Sequence, residues 1–142
     1  MSVTGAAQAP AAALLFLAFD YGTRRIGVAS GNSLTRSATP LTTVADAAVD
    51  ARFAAIGRLI SDWQPAALVV GVPRHPDGAP HDNTRRAERF ARQLQGRFGL
   101  PVHAVDERYT TTEAQALGAS EASVDAASAA LILEQYFNAS AA

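Results

Sequence analysis

The chain has 142 residues, 49% of them hydrophobic, a common size for one domain with enough apolar matter for one buried core. Its formal net charge is -1 and all 12 basic residues are Arg, so no whole-molecule positive field draws it to nucleic acid; any grip on phosphate must be local. The lack of Cys excludes disulfides, thiolate metal centres and a cysteine nucleophile, and fits a reducing cytoplasm; the His residues, at 75, 81 and 103, have no metal-binding spacing.

In chain order, residues 1–13 read as a loose Ala-rich tail and residues 14–138 as a single domain. The apolar run Ala11 to Phe19 is too short to span a bilayer and ends directly in Asp20, so Leu14 to Phe19 is expected to be a buried strand. Ile26 to Ala29 makes a second strand after the turn-like Tyr21-Gly22-Thr23, and Ser33 to Thr43, rich in Thr and Ser, a third extended piece. Val49, Phe53, Ile56, Ile60 and Trp63 recur at helical spacing, and Pro65 helps to end that helix. Leu68 to Val72 is an apolar strand closed by the loop Pro73 to Gly78.

Asp82 or Asn83 is placed to cap a second helix with Ala87, Phe90, Ala91, Leu94 and Phe98 inside and Arg85, Arg86, Arg89, Arg92 and Arg97 outside. Val102 to Val105 is the last strand. Thr110 to Leu117 looks helical, Gly118 to Ser123 a loop, and Val124 to Phe137 a final helix. Three strands in antiparallel succession followed by alternating helix and strand imply an α/β fold, a mixed sheet with helices on both faces.

In such a fold Asp20 ends one strand, Glu107 follows another, and Asp125 lies in the first turn of the last helix, so carboxylates from distant parts of the chain can converge. Convergence of like charges is costly without positive charge between them, which a hard divalent cation such as Mg²⁺ or Mn²⁺ supplies through oxygen ligands. Two such ions about 3.5–4 Å apart can drive in-line phosphoryl displacement. Each acid also has a plainer reading: Asp20 as a turn former, Asp125 as an acid favoured by the helix dipole, Asp106-Glu107-Arg108 as a surface ion-pair cluster.

Phe19 to Ala29, Val70 to Pro73 with Asp77-Gly78, Val105 to Thr111 with Glu113-Ala114, and Val124 to Ala129 resemble, in that order, the four signature blocks of the YqgF family. These are the bacterial RuvX-type proteins, named Holliday junction resolvases and later nucleases that process the 5′ end of the small-subunit ribosomal RNA precursor. The resemblance spans Leu14 to Phe137. It implies an RNase H-like single domain with a five-stranded mixed sheet, and a metal-dependent nuclease with Asp20 as the ligand on the first strand, Glu107 after the later strand and Asp125 on the last helix. Asp106 is held in reserve for Glu107, since successive side chains on a strand alternate. Gly22 and Gly27 read either as a tight turn with close approach to a ligand or as ordinary hairpin glycines. The family's longer, often Lys-rich stretch before the last helix is reduced here to Gly118 to Ser123, with no basic residue after Arg108.

Substrate contact then falls to Arg24, Arg25, Arg74 and Arg108 near the acids and to Arg85, Arg89 and Arg92 on the second helix, since phosphate binding needs clustered rather than overall positive charge. The expected partner is nucleic acid, RNA ahead of DNA, within pre-ribosomal particles and away from membranes. Three alternatives stand beside this reading: a resolvase acting on DNA junctions, a catalytically silent RNA-binding factor, and a nucleotide-binding module suggested by Asp20-Tyr21-Gly22-Thr23, although a phosphate-binding Gly-Lys-Ser/Thr loop is absent from the sequence.

Overall fold

The structure, a computed structural model, describes residues 14–45, 48–73, 83–106 and 121–140. Strands β1 (Leu15–Asp20), β2 (Ile26–Asn32) and β3 (Ser37–Val44) are followed by helix α1 (Val49–Trp63), β4 (Ala67–Val72), helix α2 (Thr84–Phe98), β5 (Val102–Asp106) and helix α3 (Glu121–Ser140). They form one sheet of order β3-β2-β1-β4-β5. β1, β2 and β3 pair antiparallel, while β4 runs parallel to both β1 and β5, giving the expected mixed sheet.

Period-two alternation divides the strands between two layers. Leu17, Phe19, Ile26, Val28, Leu68 and Val70 face α1 and α2, where they pack on Phe53, Ile56, Phe90 and Leu94. Phe16, Ala18 and Val69 face α3, against Ile132, Leu133 and Phe137. The strands buried on both faces are the continuous apolar runs of the sequence, as burial between two helical layers requires.

Several boundaries differ from the sequence reading. β3 starts at Ser37, not Ser33, because Asn32 Oδ1 accepts the backbone N–H groups of Leu34 and Thr35 at 2.8 and 3.3 Å and turns the chain. Pro40 sits in β3 without interrupting it, since β3 is an edge strand and the register shifts there, between Val28 and Ala29 of β2. Val49 and Trp63, at the two ends of α1, are exposed rather than part of its inner face. Asn83 occupies the N-cap position of α2 but makes no capping bond; its side chain accepts a hydrogen bond from Arg86 at 3.0 Å. The final helix begins at Glu121, inside the stretch expected to be a loop, because Glu121 and Ala122 are strong helix formers and an acid favours the N-terminal end. The tail 1–13, the loop after Pro73, the proposed helix Thr110 to Leu117 and residues 118–120 lie outside the described residues.

Candidate nuclease site

Asp20 is the last residue of β1 and shares strand parity with Phe16 and Ala18, so it belongs to the face covered by α3. Its cross-strand partner on β2 is Gly27, and its partner on β4 is Gly71. A half-buried carboxylate is thereby set between two residues without side chains, at the end of the sheet where β1, β4 and β5 terminate.

Gly27 also determines how close α3 comes. A Cβ at this position would lie 1.8 Å from the carbonyl oxygen of Asp125 and 2.8 Å from the amide nitrogen of Ala126. Further along the contact, Ala29 meets Ala129 and Ala130, and a Cβ on Gly31 would collide with Leu133. Small residues on both surfaces let backbone approach backbone. The glycine thus serves close approach, but to the helix that carries the second acid rather than to a ligand. Asp125 is the fifth residue of α3, beyond the first turn, which weakens its reading as a dipole-favoured terminal acid.

Asp125 Oδ2 accepts a hydrogen bond from Arg25 Nε at 2.8 Å, in an ion pair whose side chains are 25% and 29% exposed respectively. Arg25 comes from the β1–β2 turn, which Gly22 keeps tight: a Cβ there would be 2.5 Å from the Arg25 carbonyl oxygen. Arg52 of α1 donates to the Thr23 carbonyl and ties the same turn to the opposite layer. Arg24 is exposed in this turn.

On β5, His103 stacks on Tyr136 of α3 with ring centroids 5.1 Å apart, and Val105 packs in the same layer, whereas Val102 packs with the α1–α2 core. Asp106 has the parity of Val102 and belongs to the face away from Asp20 and Asp125. Glu107, Arg74 and Arg108 lie outside the described residues. The structure thus brings Asp20, Asp125 and Arg25 to one face at one end of the sheet. Arg85, Arg89 and Arg92 are exposed on α2, which covers the other face. Sequence reasoning missed the Arg25–Asp125 pair, for which no local pattern exists, and Ser128, a fully buried hydroxyl on α3 without a hydrogen-bond partner among the described residues. No group of three acids or His able to hold a metal occurs among the described residues, where two of the three proposed acids fall.

Comparison with known proteins settles the family. The family model for RuvX, described as Holliday junction resolvase, matches residues 14–139. The chain belongs to the RuvX family. A relative from Polaromonas sp., named "Putative pre-16S rRNA nuclease", is 60% identical over 136 residues, covering 96% of each chain. One of the same name from Albidiferax ferrireducens is 62% identical over 121 residues, covering 85% of this chain and 76% of the relative. Among solved structures, Thermus thermophilus RuvC in complex with a Holliday junction substrate matches with a TM-score of 0.57 at 16% identity, over 90% of this chain and 96% of that one. At that identity the likeness speaks for the fold alone: this RuvX chain has the RNase H-like fold of RuvC. Within the described residues no helix is long and apolar enough to cross a membrane.

Proposed function

We propose that the chain is a nuclease that hydrolyses phosphodiester bonds in RNA, at the 5′ end of the 16S ribosomal RNA precursor, with Asp20, Glu107 and Asp125 holding Mg²⁺ or Mn²⁺. The observation that carries this reading is that Gly27 pairs with Asp20 on β1 and abuts the backbone of Asp125 on α3, so that both acids belong to one face at one end of the sheet, with a cation, the Arg25 guanidinium, seated on Asp125. Membership of the RuvX family and the name of the Polaromonas relative support the activity and the substrate. A cytoplasmic place of work goes with that substrate.

The donor set suits a hard divalent cation: carboxylate oxygens, with no thiolate in the chain. Of the proposed ligands, Asp20 and Asp125 are among the described residues, and Glu107, next after β5, would be the third in preference to Asp106, whose strand parity directs it to the other face. When bound, the metal supplies activation of a water and charge stabilisation at the leaving oxygen. The chain's own residues do the rest. β1 and α3 hold the two carboxylates on rigid elements, Gly27 lets α3 close on β2, and Arg25, together with the exposed Arg24, presents guanidinium groups to a phosphate in the same turn.

The test is incubation of the purified full chain with a fragment of 16S rRNA precursor and, separately, a four-way DNA junction, each with Mg²⁺, with Mn²⁺ and with chelator. Metal-dependent cutting of the precursor is expected. Cutting of the junction alone would move the substrate to DNA, in line with the family's description; cutting that persists in chelator would remove the metal mechanism, and no cutting of either would leave a silent binding factor.

A further inference from the structure

Across the sheet from Asp20 and Asp125, the N-terminal halves of α1 and α2 enclose a cleft of about 330 Å³ that the nuclease reading does not use. Three arginines line it, Arg52 from α1 and Arg86 and Arg89 from α2, beside Tyr21, Phe90 and Gln93; Arg52 also donates to the Thr23 carbonyl and Arg86 to Asn83 Oδ1 at 3.0 Å. None of its described lining residues is acidic. The first turn of α2 also carries no acid, although cations there oppose the helix dipole. A solvated helix face has no need of such an arrangement; an anion in the cleft would offset it.

The rings indicate what else the ligand carries. Tyr21 lies 4.9 Å from Phe90, tilted by 36°, and forms the wall of the cleft nearest the turn. Tyr21 follows Asp20 directly, and Arg52, also in the cleft, holds the Thr23 carbonyl of the turn whose Arg25 reaches Asp125. The cleft and the acids therefore share the β1–β2 turn as their common wall, one on each side of the sheet.

We propose that this cleft binds a nucleotide of single-stranded RNA flanking the bond to be cut, its base against Tyr21 and its phosphates on Arg86 and Arg89. The proposal rests on the nuclease reading above for the identity of the strand. Aromatic stacking with flanking cations is how single strands are held without sequence preference, and a duplex, whose bases are already stacked and paired, cannot offer the same group. Of the arginines expected to act together on α2, Arg89 alone lines the cleft; Arg85 and Arg92 do not, and Arg86, one residue from Arg85, takes their place.

Binding is measured in chelator, where no cleavage competes, by anisotropy of a labelled single-stranded oligoribonucleotide, its duplex, and adenosine monophosphate as competitor. Tyr21→Leu should weaken single-strand binding by about tenfold and leave duplex binding unchanged, and Tyr21→Phe should bind as the parent does. Arg86→Gln with Arg89→Gln, both exposed and harmless to the core, should lower the salt slope for the single strand by about 1.4, the loss of two phosphate contacts. A 5-iodouridine strand should photocross-link to Tyr21. Equal loss on duplex and single strand, an unchanged salt slope, or a cross-link elsewhere would overturn the proposal, and so would a mononucleotide that competes as tightly as the strand binds, which would make the cleft a free-nucleotide site. Cleavage of the precursor by the parent chain, measured separately with Mg²⁺, reports on the nuclease reading, so failure of that reading appears in cleavage alone and failure of the cleft in binding alone.

Discussion

The α-carbon of Gly27 faces the backbone of Asp125 so closely that a methyl group on it would stand 1.8 Å from the Asp125 carbonyl oxygen. No side-chain rotation relieves a clash with backbone, so Gly27→Ala must push α3 away from β2. Overpacking of this kind costs about 1–3 kcal/mol, and a displacement of about 1 Å at a catalytic group costs about a hundredfold in rate. Thermal unfolding and precursor cleavage should both show loss. Gly96→Ala is the control: nothing lies within 4 Å of the added methyl, and replacing a helical Gly should stabilise by about 0.5–1 kcal/mol with cleavage unchanged.

Asp20→Asn, Glu107→Gln and Asp125→Asn should each reduce cleavage by at least about a hundredfold, because a metal site missing one carboxylate loses affinity and geometry together. Their effects on stability should differ. Asp125→Asn also removes the partner of Arg25, a pair exposed enough that its loss should cost under about 1 kcal/mol. A drop in melting temperature that accounts for the whole loss of activity would give Asp125 a structural role instead.

Arg25 and a divalent cation compete for one carboxylate, since Nε already occupies Asp125 Oδ2. Arg25→Gln should therefore tighten Mn²⁺ binding several-fold by calorimetry while weakening RNA binding, as a phosphate contact is lost. Weaker Mn²⁺ binding in the variant would mean that Arg25 orients Asp125 for the metal rather than competing with it.

Where one face of an element alone decides its placement, the sequence was easy to read. The helical spacing of Phe53 and Ile56, the apolar runs of β1 and β4, and the inner residues Ala87, Phe90 and Leu94 of α2 all lie where periodicity puts them. The turn at Asn32 was misread because a side-chain oxygen, not strand propensity, directs the backbone there. At the site, Asp20 and Asp125 were legible as acids at element ends, but the close approach of α3 to the sheet depends on Gly27, Ala29, Ala129 and Ala130, small residues whose role appears only when helix and strand are packed. The Arg25–Asp125 pair and the cleft between α1 and α2 join residues far apart in the chain, which periodicity cannot report.

Ser128 tests how far packing rather than chemistry governs α3. Its side chain is fully buried one turn beyond Asp125, and its hydroxyl has no hydrogen-bond partner among the described residues, not even the carbonyl of the preceding turn that a helical Ser often takes. A buried hydroxyl left unpaired costs about 1–3 kcal/mol relative to one in water, and Ala is in addition the better helix former. Ala also preserves the small volume that the neighbouring contact of Ala129 with Ala29 requires. Ser128→Ala should therefore stabilise the protein by about 1 kcal/mol, a rise of about 3 °C in melting temperature, with cleavage of the precursor unchanged. A larger residue such as Val at this position should destabilise instead, because overpacking would lift the helix that carries Asp125. A fall in melting temperature for Ser128→Ala would show that the hydroxyl is bonded after all, to a residue outside those described. Lost cleavage at unchanged stability would bring Ser128 into the site beside Asp125, where its oxygen would act on the substrate or on the acid itself.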